Sequence, residues 1–132
     1  MNIQQIIIAD DDLDDIEVFT EAIKNYNAEI KITYVTDGQK LIDRLNENTI
    51  PELIILDLNM PCVGGRDCLE TIRSNSQYNN IIIVVHSTSI NPEVKDECLF
   101  LGANYVVTKP NNYLGITKFA EAIVNGSFDF VV

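Results

Sequence analysis

The sequence predicts an α/β domain of the (βα)5 type, a doubly wound parallel sheet with helices on both faces. Three observations carry that expectation. Short β-branched runs recur five times along the chain. A stretch with helical period follows each of them. Several of the runs are apolar without alternation, as suits strands buried on both faces of a parallel sheet.

The first run is Ile6-Ile7-Ile8-Ala9, and Ile16, Phe19 and Ile23 mark the helix after it, at i, i+3 and i+7. The second, Ile30-Lys31-Ile32-Thr33-Tyr34-Val35, precedes Leu41, Ile42 and Leu45, with Gly38 and Pro51 read as turns on either side of that helix. The third, Leu53-Ile54-Ile55-Leu56, precedes Cys68, Leu69 and Ile72. The fourth, Ile81-Ile82-Ile83-Val84-Val85, precedes Val94, Cys98 and Leu101. There Asn91 reads as an N-cap with Pro92 at the first helical position, and Gly102 falls where a left-handed residue is wanted. The fifth, Tyr105-Val106-Val107, precedes Ile116, Phe119, Ala120 and Ile123. Right-handed crossovers leave few topologies, and the common order for five strands is the flavodoxin-like 2-1-3-4-5. No linker or low-complexity tract interrupts the pattern. Residues 1–132 therefore read as a single domain, with a core over about 4–125 and a short tail over 126–132.

Nine Lys plus Arg stand against twenty Asp plus Glu, a formal charge of −11. A nucleic-acid binder needs the opposite sign to neutralise phosphates, so direct DNA or RNA binding is not expected. Apolar residues make up 46% of the chain, enough for a packed core. No apolar run approaches the roughly 18 residues of a membrane span. The opening Met1-Asn2-Ile3-Gln4-Gln5 lacks the basic region of a signal peptide. Cys62, Cys68 and Cys98 are odd in number and none is spaced C-x-x-C, which fits reduced thiols in a cytoplasm.

In an open α/β sheet, ligands bind beyond the carboxyl ends of the strands, here in the crevice between strands one and three. Asp10, Asp11 and Asp12 follow the first strand, and Asp57 the third. Ser87, Thr88 and Ser89 follow the fourth, and Lys109 with Pro110 the fifth. Asp10, Asp11 and Asp57 would meet closely, and such like charges disfavour full ionisation. Lys109 supplies one compensating charge, and a divalent cation is the natural second. An oxygen donor set prefers Mg²⁺ or Mn²⁺ to Zn²⁺. A carboxylate, a hard cation, a hydroxyl and an amine together describe a phosphoryl site, with Asp as nucleophile. Asp12 to Asp15 fit the start of a helix, which favours negative charge. His86 reads as a packed core histidine. The cysteines read as inert thiols, with Cys62 exposed.

These residues resemble the receiver domain of bacterial two-component response regulators, of the stand-alone, chemotaxis-regulator-like kind. The likeness runs through about Val124. It rests on Ile7-Ile8-Ala9-Asp10-Asp11-Asp12, on Leu53 through Pro61 with Gly64-Gly65, on Val84-Val85-His86-Ser87-Thr88, and on Gly102-Ala103-Asn104 leading to Lys109-Pro110. It implies that Asp57 is the phosphoacceptor and that Asp10 and Asp11 are the acidic metal pair. It implies that Asn59 offers its backbone carbonyl to the metal, that Ser87 is the switch hydroxyl, and that Lys109 binds the phosphoryl group. Pro110 matches a cis-proline turn. The partners implied are a sensor histidine kinase or phosphotransfer protein and a downstream protein target. The chemistry implied is self-phosphorylation and slow self-hydrolysis, not turnover of a foreign substrate.

The chain departs from the family pattern at Val106, where an aromatic residue is common. Tyr105 lies one step earlier and points to the opposite face. Phe100 falls about 120° from the Val94–Cys98–Leu101 stripe, which predicts an exposed aromatic ring on the helix 4–strand 5–helix 5 face. A partner or homodimer contact is expected there. The tail from Ser127 alternates weakly, like a strand. A Mg²⁺-dependent phosphatase with Asp57 as nucleophile is the competing enzyme class. Such enzymes usually carry a second acid two residues on, where this chain has Asn59. A scaffold that has lost phosphorylation is disfavoured, because all the key positions are filled.

Overall fold

Among the described residues, five strands and five helices alternate. They are β1 (Gln5–Ala9), α1 (Leu13–Tyr26), β2 (Lys31–Val35), α2 (Gly38–Leu45), β3 (Leu53–Leu56), α3 (Gly65–Arg73), β4 (Ile82–Ser87), α4 (Pro92–Leu101), β5 (Tyr105–Thr108) and α5 (Tyr113–Asn125). A short 3₁₀ turn, Ser76–Tyr78, precedes β4. The structure is a computed structural model and describes residues 3–47 and 49–128. All strand pairs are parallel, in the expected order β2-β1-β3-β4-β5.

Side chains alternate across each strand, so one sheet builds two cores. Ile7, Ala9, Ile54, Leu56, Ile83 and Val85 face one way and pack with Leu41, Leu69 and Cys98 from α2, α3 and α4. Ile6, Ile8, Leu53, Ile55 and Val84 face the other way, onto Phe19, Ile23, Phe119 and Ile123 of α1 and α5. Burying each large apolar side chain contributes about 1.5–3 kcal/mol, which is why the helical stripes read from sequence become the contact faces.

Caps fix where the helices start. Asp12 accepts the N–H groups of Asp14 and Asp15 at 3.0 and 3.2 Å. Asn91 accepts that of Val94 at 2.8 Å, with Pro92 next. Gly102 closes α4 at φ 115°, a left-handed conformation that favours glycine. Gly38 is not a turn residue: it opens α2 behind the Asp37 cap, which accepts from the Lys40 N–H at 2.8 Å. β4 also runs further than the apolar pattern suggested. His86 and Ser87 pair with Val107 and Thr108, so Ser87 ends the strand instead of following it. No peptide bond among the described residues is cis. The expected cis turn at Pro110 is therefore absent, and trans is the ordinarily favoured isomer of an X–Pro bond.

Val106 is buried in the α2–α4 core, while Tyr105 faces the other layer and stacks on Phe128 at 4.2 Å between ring centroids. Phe128 is itself buried; residues 129–132 of the expected tail lie outside the described residues. Phe100 is 82% exposed, as its angular position on α4 predicted. Cys62 is exposed, whereas Cys68 and Cys98 are buried and all three are free. Burial pushes the Cys68 thiol up to about 11, leaving it protonated and unreactive at neutral pH.

Arg73, at the end of α3, ties together segments on the α3–α4 side of the domain. Its guanidinium donates to the carbonyls of Gly102, Tyr78 and Ile81 at 2.8, 3.0 and 2.8 Å, and to Asn104 Oδ1 at 2.8 Å. The same Asn104 oxygen accepts the Ile83 N–H at 2.8 Å. A lysine ammonium cannot span four acceptors laid out for a planar fork. Arg73→Lys should cost about 2–3 kcal/mol of stability in urea denaturation. An unchanged midpoint would show the clip to be dispensable.

Candidate functional site

Ladder hydrogen bonds just beyond the strands place the site. The Asp10 N–H donates to Val35 O at 3.1 Å, the Asp57 N–H to Ala9 O at 2.9 Å, and the Lys109 N–H to Ser87 O at 2.8 Å. Each polar residue thus leaves the sheet at a fixed height on the carboxyl edge. Gly65 N–H donates to Leu58 O at 3.0 Å, bringing the start of α3 against the backbone after β3. A Cβ on Gly65 would lie 2.6 Å from the Asp57 carbonyl oxygen, so only glycine permits this approach.

The sequence-predicted acids do converge. Carboxylate oxygens of Asp10, Asp11 and Asp57 all lie within 4.8 Å of one another. Asp10 and Asp57 are buried, and Asp11 is exposed and forms the open side. The Lys109 ammonium sits 2.7 Å from Asp10 Oδ2 and 3.2 Å from Asp57 Oδ2. It also reaches Asp15 Oδ2 at 2.9 Å. The backbone holds the carboxylates in place as well: Asp12 N–H donates to Asp10 Oδ1 at 2.9 Å, and Asn59 N–H to Asp57 Oδ1 at 3.1 Å. Ser87 is fully buried, and its Oγ finds no hydrogen-bond partner among the described residues.

Burial dominates the electrostatics of Asp10. It pushes that carboxyl up to about 6 even though hydrogen bonds from Lys109 and Asp12 favour the charged form, and the Asp57 charge adds to the rise. Burial alone would pull Lys109 down, yet its hydrogen bonds to Asp10 and Asp15 and the nearby acidic charges raise it above the ordinary lysine range. The site is thus a partly buried anionic cup with one fixed cation. Its hard oxygen donors, gathered this closely, fit a divalent cation such as Mg²⁺ or Mn²⁺.

Sequence reasoning missed Asp15. Its charge at a helix start already had an explanation, so nothing demanded a second one. The available signal was spacing: Asp15 lies four residues ahead of buried Phe19 and so shares its side of α1.

Residues 6–121 match the response regulator receiver domain family. The chain belongs to that family. Receiver domains are signalling modules of two-component systems, not turnover enzymes. Among relatives of this receiver domain, the response regulator Rcp1 of Synechocystis is 27% identical over 124 residues, covering 89% of this chain and 84% of Rcp1. The DNA-binding transcriptional activator EvgA of Escherichia coli K12 is 35% identical over 70% of this chain. The match spans only 44% of EvgA, so the chain accounts for less than half the length of that relative. Two solved structures each cover 98% of this chain and 97% of their own. The phosphorylated cyanobacterial phytochrome response regulator RcpA superposes with a TM-score of 0.87 at 28% identity. The Mn²⁺-bound form of Rcp1 does so with a TM-score of 0.83 at 26%.

His86 is a core histidine, as its place on β4 predicted. Its ring stacks on Phe119 at 4.4 Å and meets the edge of Phe19 at 4.6 Å. Nε2 is buried without a partner among the described residues. Burial, with the Lys109 charge adding to it, lowers its pKa to about 3 from 6.5. The unfolded chain therefore takes up this proton first. The contribution of His86 to stability is full above pH 6.5 and is lost as pH falls through about 3. Asp10 works in the opposite sense, its contribution being lost as pH rises through about 6. Between pH 6.5 and 4.5, His86→Phe should remove a dependence of about 1.4 kcal/mol per pH unit relative to the unsubstituted protein. Urea midpoints across that range check it; parallel curves would mean that His86 is protonated in the fold.

Proposed function

We propose that Asp57 accepts a phosphoryl group from the phosphohistidine of a sensor histidine kinase or phosphotransfer protein, and that the aspartyl phosphate signals through protein contacts. One observation carries this reading: three carboxylates from the ends of two strands meet at the switch point of the sheet, and two of them, Asp10 and Asp57, pair with a single ammonium from a third strand. An Asp57 carboxylate oxygen attacks phosphorus, the bond from phosphorus to the donor imidazole breaks, and the imidazole keeps the electron pair. Asp10, Asp11 and Asp57, with the Asn59 backbone carbonyl, would hold Mg²⁺ or Mn²⁺. When bound, that cation supplies neutralising charge for the transferring oxygens. Lys109 would donate to one phosphoryl oxygen, and the unpartnered Ser87 hydroxyl to another. The phosphorylated state of RcpA and the Mn²⁺ of Rcp1 support the same reading for these two relatives.

Self-phosphorylation and slow self-hydrolysis are the only chemistry proposed. The charge of −11 argues against direct contact with nucleic acid. No helix among the described residues is long and apolar enough to cross a membrane, and a cytoplasmic location is proposed. Phe100, 82% exposed with Leu99 beside it at 41%, marks the α4–β5–α5 face as the proposed contact with a partner or a second copy.

Incubation with a small phosphodonor and Mg²⁺ should add one phosphoryl group by intact mass, and the gain should decay on standing. Asp57→Asn should abolish the gain, and Asp11→Asn should abolish its Mg²⁺ dependence. Labelling of Asp57→Asn at an unchanged rate would move the acceptor elsewhere. Phe100→Ala should weaken self-association in sedimentation velocity or binding to the kinase, and both left unchanged would remove that face from consideration.

A further inference from the structure

We infer that Asp15 is a positioning residue for Lys109, holding the ammonium from the α1 side while its other partners change. The inference rests on the reading of Asp57 as phosphoacceptor and extends it to a residue outside the carboxylate cluster.

An ammonium has three protons to donate. In this structure the ammonium donates to Asp15 at 2.9 Å and Asp57 at 3.2 Å and pairs with Asp10 at 2.7 Å. Three carboxylates already crowd it, so an incoming phosphoryl oxygen must take the place of one of them. Two of the three partners have competing duties. Asp10 and Asp57 belong to the cluster that fits a divalent cation, and Asp57 is the residue that becomes esterified. Asp15 is outside that cluster, and neither cation nor phosphoryl group lays claim to it. The N–H that donates to Asp57 can turn to the phosphoryl oxygen, the ammonium keeping its protons, while Asp15 holds it at the mouth of the site.

A charge at the start of α1 does not by itself explain Asp15. Asp12 already caps the helix, accepting from Asp14 and Asp15 backbone N–H groups. Asp14 supplies a first-turn charge of the same sign, and it is exposed. Asp15 is distinguished by its contact across 94 residues of sequence, from α1 to the end of β5. Its side chain is 33% exposed, against 5% for Asp10 and 8% for Asp57, so it meets the ammonium from the solvent side.

The test uses the full chain and two readouts. The first is the ¹H–¹⁵N signal of the Lys109 ammonium without phosphodonor, which is visible only while hydrogen bonds slow proton exchange. Asp15→Asn should shift and broaden it, Asp15→Glu should largely restore it, and Asp14→Asn should leave it in place. The second is the rate of labelling by a small phosphodonor with Mg²⁺. Asp15→Asn should slow it about fivefold, with Asp15→Glu recovering most of the loss. A Lys109 signal and labelling rate both indifferent to Asp15→Asn would overturn the assignment. So would equal effects from Asp14→Asn, which would reduce Asp15 to one more charge on the helix. Failure of the unsubstituted protein to label would sink the phosphoacceptor reading alone, because the ammonium signal needs no phosphodonor.

Discussion

The Lys109 ammonium is the interaction on which the rest of the site depends. Asp10 and Asp57 are both nearly inaccessible to water, and two anions in such a place repel strongly. A cation fixed between them makes their coexistence tolerable. The compensation is incomplete, since Asp10, Asp11, Asp15 and Asp57 gather around one positive charge. The Asp10 carboxyl is pushed up chiefly by burial, with the Asp57 charge adding a smaller part. A protein surface could disperse such charge into solvent; here the backbone forbids it. That deficit of positive charge is what a bound divalent cation would offset.

The sheet enforces that deficit through its own regularity. Parallel pairing aligns the carboxyl ends of β1, β3, β4 and β5, and the peptide after β1, β3 and β5 extends the ladder. The polar residues therefore need no special loop to find one another. What they need is a rigid base, which the two apolar layers supply from opposite sides. Gly65 adds a further constraint by seating α3 directly on the backbone that carries Asp57.

Much of this was legible in the sequence because period and position encode it. The strand order followed from alternation of elements, and Asp10, Asp11, Asp57 and Lys109 followed from lying just past apolar runs. The exposure of Phe100 followed from counting 100° per residue on α4. What escaped had no such encoding. Arg73 binds mostly backbone carbonyls, which every residue possesses, so no pattern of side chains announces its partners. Asp15 meets a partner 94 residues away, while a local explanation for its charge lay close at hand. Hydrophobicity ends at Val85 and so sets Ser87 beyond β4, yet the ladder to β5 continues through two polar residues. Pairing geometry, not polarity, decides where a strand stops.

The Tyr105–Phe128 stack gives the far end of the described chain a fixed berth. With Val106 locked among alkyl side chains on one side of β5, the aromatic ring of this strand serves on the other side as an anchor. The described chain therefore ends at a set point on the α1–α5 flank. Shaving the ring from either partner would undo that berth and leave the other aromatic face of the pair open to water.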